Sequence, residues 1–228
     1  MEKKETTSEG TGRLQAFSDG IFAIAITLLV LDIHVPDVTG NQSLLNAVLH
    51  NWEPMLAFMI GFFTLLVCWI NHHYMFEVIC KSNGMLLLLN GFKLLVVSFT
   101  PFATALLSKY IGTPNQATAI SIYGLNFFLM GTAMTGIWLY ATQHDLTNAP
   151  REELRAATEF YVFASLLSGS IFILSFVNTI VSLVLFGLMF MIFVFPRNMI
   201  VTIEKRGLAR LNLKGILAGR IVRVNDQE

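Results

Sequence analysis

Long apolar runs separated by short polar segments dominate the pattern along the chain. The first run occupies about 13–33, and at roughly 1.5 Å per residue it covers about 30 Å, the thickness of a bilayer's hydrocarbon core. Each later run has a similar character. The pattern predicts an all-α integral membrane protein with six transmembrane helices, which we call spans 1–6. They are expected at about 13–33, 53–78, 85–108, 117–143, 152–177 and 179–200.

The segments outside these spans are polar. Residues 1–12 contain few apolar side chains, which predicts a flexible cytoplasmic tail. Residues 13–203 then form one six-helix transmembrane domain. In residues 204–228 apolar and basic residues alternate, and two interpretations stay open. The segment is either a basic helix that lies on the inner leaflet or a solvated tail that only helps to set the topology.

Composition and charge narrow the class of protein. With 54% hydrophobic and 13% charged residues, the chain is not a soluble domain. Twelve Lys and Arg residues lie in the tails and in alternate loops, whereas the opposite loops contain only Lys109. By the positive-inside rule this asymmetry places both termini in the cytoplasm.

Ser18 and Asp19 are polar residues about two turns inside span 1. An ionisable side chain at that depth is costly unless it faces water or a partner. Hydrogen-bonding partners are available in the inner halves of spans 2 and 3, at Trp69, His73 and Asn90. A positive partner for Asp19 is available at Arg13 or Lys93.

The start of span 1 also carries a specific motif. Its residues are Arg13, Phe17, Ser18 and Asp19, followed by Ile24, Thr27, Leu28 and Leu31. This pattern resembles the first helix of the transmembrane protein 175 family of potassium channels, in its prokaryotic six-helix form. The likeness extends over about 13–203. It implies a homotetramer around a central pore lined by span 1, since animal members reach the same number of helices with two double-length chains.

Helical spacing places Ile24, Thr27, Leu28 and Leu31 on one face of span 1. Periodicity alone favours a packing or lipid-facing surface. The resemblance implies instead that this face lines the pore: the Ile and Leu side chains form an apolar constriction that acts as filter and gate, and Thr27 adds a hydroxyl ring. Such a constriction favours K⁺ over the more strongly hydrated Na⁺ and closes by dewetting. Asp32, at the outer end, either attracts cations to the pore mouth or is an ordinary solvated carboxylate.

For the polar residues the resemblance implies a structural network that ties span 1 to its neighbours. Its expected members are Arg13, Phe17, Ser18, Asp19, Trp69, His73 and Asn90. We favour this structural role over direct ion binding. The adjacent His72 and His73 point about 100° apart on a helix, so a shared metal ion is not expected.

We therefore predict a potassium-preferring cation channel in a prokaryotic plasma (inner) membrane. Its expected partners are further copies of the chain, the lipid bilayer and permeant monovalent cations; K⁺ is the permeant ion and no cofactor is expected. No catalytic motif or nucleic-acid-binding pattern occurs in the sequence. The alternative is a proton-coupled secondary transporter with Asp19, His73 and Lys93 as a relay, against which stands the lack of an inverted repeat.

Overall fold

The computed structural model describes residues 6–34 and 43–194. Within these ranges a 3₁₀ turn, Leu29–Asp32, continues the first helix. The single β-type contact of the described part is an isolated bridge between Ile79 and Thr147. The fold is therefore all-helical, as predicted. Its α-helices are α1 (Thr6–Leu28), α2 (Leu44–His50), α3 (Trp52–Val78), α4 (Gly84–Tyr110), α5 (Gln116–Gln143), α6 (Arg151–Leu174) and α7 (Thr179–Phe193).

Five helical segments are long and apolar enough to cross a membrane, and they correspond to spans 1–5. They are Thr11–Asp32, Trp52–Val78, Gly84–Tyr110, Gln116–Gln143 and Arg151–Leu174. The predicted sixth span begins with α7, which has 15 described residues. The rest of that span and the basic tail at 204–228 lie outside the described residues. The count of six spans therefore stays a prediction.

The first helix begins earlier than its hydropathy predicted. It starts at Thr6, so residues 6–12, which we expected in a flexible tail, are helical. Hydropathy marks the part of a helix that lipid favours, whereas backbone hydrogen bonds continue the helix into polar sequence. Residues 1–5 lie outside the described ranges. Between α6 and α7, the Asn178 Oδ1 accepts a hydrogen bond from the Val181 N–H at 3.1 Å. This bond caps the start of α7.

One apolar cluster holds α1 and its 3₁₀ turn against α3 and α4. Its members include Phe22, Ala25, Leu29, Leu65, Leu94 and Val97. Gly61 on α3 permits close packing here, because a Cβ at that position would lie 2.7 Å from Thr104 Oγ1 and 3.1 Å from Leu29 Cδ2. The α1 members are spaced three or four residues apart, so they share one face of the helix. It is by this face that α1 packs onto the α3–α4 pair.

A second core joins α3 to α5, α6 and α7, and it includes Leu14 of α1 and Leu86 of α4. Its large members include Met75, Trp138, Phe160 and Phe186. Trp138 packs beside Tyr161 with ring centroids 5.3 Å apart, and its indole N–H donates to Thr158 Oγ1 at 2.9 Å. Because α3 and α4 contribute residues to both cores, they link α1 to the rest of the bundle.

Candidate functional site

One face of α1 stays largely uncovered in the protomer. The exposed fractions are 60% for Ile24, 43% for Leu28 and 69% for Leu31, the residues that we expected to form a constriction. On the opposite side, Phe22 and Leu29 are each 1% exposed. The packing of α3 and α4 against one side of α1 therefore leaves the expected pore face free.

The Thr27 hydroxyl is exposed on this apolar face. It lies 3.0 Å from the Ala23 carbonyl oxygen and 2.9 Å from that of Ile24, and it donates to its own helix. Because the Thr27 hydroxyl donates its proton to the helix, the lone pairs of its oxygen remain available to a partly dehydrated cation.

Asp32 lies half-buried in the 3₁₀ turn, and no ion pair of the described chain involves it. Its role at a pore mouth stays a prediction.

A buried polar chain of Ser18, Asn90 and His72 joins α1 to α4 and α3. Asn90 Nδ2 donates to Ser18 Oγ at 3.0 Å, and Ser18 Oγ donates to the Leu14 carbonyl at 2.8 Å. Asn90 Oδ1 is 3.0 Å from His72 Nε2; since this oxygen can only accept, Nε2 carries the proton. All three side chains are buried. The chain therefore fixes the rotation of α1 by satisfied bonds in a site that water does not reach.

Asp19 is anchored separately, on the exposed flank of α1. The indole N–H of Trp69 donates to Asp19 Oδ1 at 2.8 Å, which links α1 to α3 a second time. Asp19 is exposed in the protomer. Neither Arg13 nor Lys93 forms an ion pair with it in the described chain, so the expected positive partner is replaced by an indole donor.

The expectation for His73 requires correction. It makes no hydrogen bond to Ser18, Asp19 or Asn90 in the described chain. Instead it is half exposed, with Nε2 3.6 Å from Glu77 Oε1 and its ring centroid 5.7 Å from that of Trp69. His72 takes its place, because about 100° separates neighbouring side chains on a helix. Only His72 lies on the buried face of α3.

A spacing signal for His72 was present in the sequence. His72 follows Leu65 by seven residues and precedes Met75 by three, and both of these are buried on α3.

Two residues of the span 1 motif, Phe17 and Arg13, also lie outside the polar network. Phe17 is 63% exposed, seven residues before Ile24 and hence on the same face, while Arg13 is exposed without an ion pair in the described chain.

Lys93 differs from every other polar residue of the site. It is completely buried, and its Nζ is the only buried side-chain polar atom of the described residues without a hydrogen-bond partner. The Nζ atom lies 4.5 Å from the centroid of the Phe22 ring, so the ammonium faces the buried side of α1.

No group of three or more His, Cys, Asp or Glu residues that could hold a metal ion occurs in the described chain.

These features define an α-helical integral membrane protein. Its long helices are apolar, buried polar bonds join them, and one helix keeps an uncovered face. The family model described as "Endosomal/lysosomal potassium channel TMEM175" matches residues 13–101. A curated relative from Chamaesiphon minutus, named a potassium channel, is 39% identical over 173 residues, or 74% of this chain and 85% of the relative. The chain belongs to the TMEM175 family, which confirms the resemblance of the span 1 motif.

Other comparisons agree. The crystal structure of a TMEM175 homologue from Chamaesiphon minutus, described as a lysosomal potassium-selective channel homologue, superposes with a TM-score of 0.72 and 34% identity, covering 86% of this chain and 98% of that one. A relative from Gallus gallus, named an endosomal/lysosomal proton channel, is 33% identical over 142 residues, 58% of this chain and 28% of the relative. These relatives are named as channels and not as enzymes, in agreement with the prediction for this chain.

Proposed function

We propose that this protein is a homotetrameric channel that conducts cations passively and prefers K⁺. In this proposal α1 of each copy lines a central pore, and Ile24, Leu28 and Leu31 form its apolar constriction. The observation that carries the proposal is the uncovered apolar face of α1 on a helix whose other side is fixed by buried polar bonds. The name of the Chamaesiphon minutus relative supports the choice of ion.

Asp19 indicates that lipid does not cover the flank of α1 next to the Ile24 face; it precedes Ile26 by seven residues and so shares the side of Ile26. Its side chain is exposed in the protomer and lies within a predicted membrane-crossing segment. An aspartate that faces lipid near the middle of a membrane helix costs about 2.5–3.5 kcal/mol on insertion scales. In the proposed tetramer this flank therefore faces another copy or water rather than lipid, while Trp69 holds the carboxylate in place.

The constriction supplies both selectivity and gating in this proposal. The sequence contains no Thr-Val-Gly-Tyr-Gly filter, so discrimination depends on pore width and dehydration. K⁺ sheds water more readily than Na⁺ and passes the apolar neck more easily, and dewetting of the same neck closes the pore. Thr27 supplies oxygen atoms beside it, and Asp32 raises the cation concentration at the outer mouth. K⁺ is the permeant ion, and the channel requires no resident cofactor.

A central pore of α1 helices requires several copies of the chain, and the resemblance to the TMEM175 family implies four. A helix surrounds an axis only when it is repeated, and closed rotational symmetry is the usual way to repeat it. The chain matches a segment equal to 28% of the Gallus gallus relative's length, as expected if that protein contains more than one such unit. We place six spans in each copy on the apolar runs of the sequence and both termini in the cytoplasm on the distribution of basic residues. The resemblance to the prokaryotic six-helix form of the family supports a prokaryotic plasma membrane.

The transporter alternative lacks a supporting observation. Its relay would need Asp19, His73 and Lys93 to exchange protons, but in the described chain Asp19 is bonded to Trp69 and His73 lies beside Glu77. Lys93 Nζ has no hydrogen-bond partner. No connected path of hydrogen bonds therefore joins the three residues within the described chain.

Recording from the purified protein in planar bilayers tests the proposed function. We expect unitary K⁺ currents, whose ion flux exceeds the turnover of any transporter, and a reversal potential in asymmetric K⁺ and Na⁺ solutions that favours K⁺. Incorporated protein that gives slow, proton-dependent flux without unitary events would refute the channel and support the transporter.

A further inference from the structure

Phe17 belongs to the span 1 motif, but neither the polar network nor the proposed constriction uses it. Its side chain is 63% exposed in the protomer, a fraction close to the 60% of Ile24. A large apolar side chain that its own chain leaves uncovered faces lipid, another copy or the pore. The helical phase of α1 distinguishes between these surroundings.

Phe17 precedes Ile24 by seven residues, and both lie within α1. At about 100° per residue, seven residues end within about 20° of two full turns. The two side chains therefore form one row along the helix, and a pore lined by Ile24 is lined by Phe17 as well. The same step covers about 10 Å along the helix axis. Because the termini are placed in the cytoplasm, Phe17 lies on the cytoplasmic side of Ile24.

Gly20 lies between these two residues on the same face of α1, three residues after Phe17 and four before Ile24. Apart from the adjacent helix backbone, no heavy atom lies within 4 Å of the position that a Cβ would take there. The row thus passes from a bulky aromatic ring, through a position without a side chain, to a branched aliphatic residue.

We propose that the four Phe17 side chains form a second neck on the cytoplasmic side of the Ile24 constriction, with a wider chamber at Gly20 between the two necks. The inference rests on the proposed channel function. A ring of apolar side chains excludes water from a narrow passage, so the Phe17 ring restricts entry by the same physics as the Ile24 ring. The chamber at Gly20 leaves room for the water that a cation regains between the two necks.

The accessibility of position 20 tests the second neck in the full-length protein in lipid nanodiscs. A cationic, water-soluble methanethiosulfonate reagent should modify Gly20→Cys slowly, and adding Phe17→Ala should speed the reaction about tenfold or more, because it opens the apolar neck. Phe17→Leu keeps a large apolar side chain and should leave the reaction slow. Arg13→Cys is the matched control, since position 13 is exposed one turn before Phe17 and its rate should not depend on residue 17. Intact-mass spectrometry measures the rates, and the wild type gives the background from Cys68 and Cys80.

Equal rates for Gly20→Cys with and without Phe17→Ala overturn the inference while leaving the channel function intact. A Gly20→Cys protein that is unreactive in both backgrounds also overturns it, because position 20 would then be covered by another copy. Failure of the Phe17→Ala variant to form the oligomer of the wild type has the same consequence, since Phe17 would then hold the copies together. A wild-type protein without K⁺ current in planar bilayers refutes the proposed function itself, and the inference with it.

Discussion

Replacing Ile24 with Asn tests the proposed constriction. The Ile24 side chain is 60% exposed in the protomer, so the substitution removes little packing, and the free energy of unfolding should change by less than about 0.5 kcal/mol. In the pore, the amide replaces hydration water that the ion must shed, which lowers the barrier more for Na⁺ than for K⁺. Bilayer recording should show a higher total conductance and a reversal potential in asymmetric K⁺ and Na⁺ that moves toward zero.

Ile26→Asn is the matched control, with the same new side chain roughly 160° further round the helix. Ile26 is half-buried and packs against the cluster that contains Phe22 and Leu65. An amide without a hydrogen-bond partner there costs about 1–3 kcal/mol. We expect a lower melting temperature and unchanged selectivity in the fraction that assembles. Equal effects at the two positions, or an unchanged reversal potential in a conducting Ile24→Asn channel, would show that the pore face is assigned to the wrong residues.

Three further predictions concern the anchor of α1 and the assembly. Asp19→Ala and Trp69→Phe should each lower the melting temperature, and the double variant should lose less than the sum, since both remove the same hydrogen bond between Asp19 and Trp69; a purely additive cycle would contradict the contact. His72→Leu should lower the free energy of unfolding by about 1–3 kcal/mol by leaving Asn90 unsatisfied, whereas His73→Leu should be nearly neutral in denaturant titrations. Native mass spectrometry should find a tetramer, and a fully conducting monomer would disprove the central pore.

Much of the fold could be predicted from local sequence alone. Hydropathy over about twenty residues reports whether a segment is stable in lipid, independently of what it packs against. The first five predicted spans accordingly correspond to α-helices of membrane-crossing length. The predicted start of the first helix was less accurate, since the helix begins at Thr6 rather than at about residue 13. Backbone hydrogen bonds extend a helix through polar residues that hydropathy does not mark.

The site was predicted less completely, because its bonds are not local. The motif around Ser18 and Asp19 identified polar groups that need partners, but partner choice depends on how α3 and α4 are rotated against α1. Residues 72 and 73 are adjacent in sequence, and the helical phase decides which histidine reaches Asn90. That phase is set by contacts between distant segments, such as Gly61 against Thr104.

Taken by itself, the sequence determined that the chain is helical, that it lies in a membrane and that α1 carries polar groups of the TMEM175 type, since hydropathy, helical period and motif spacing are properties of single segments. Only the tertiary structure decided that the Ile24 face is uncovered, that Asp19 pairs with Trp69 and that Lys93 is buried against Phe22. Burial and pairing are relations between helices, and they exist only after side chains from α1, α3 and α4 have packed together.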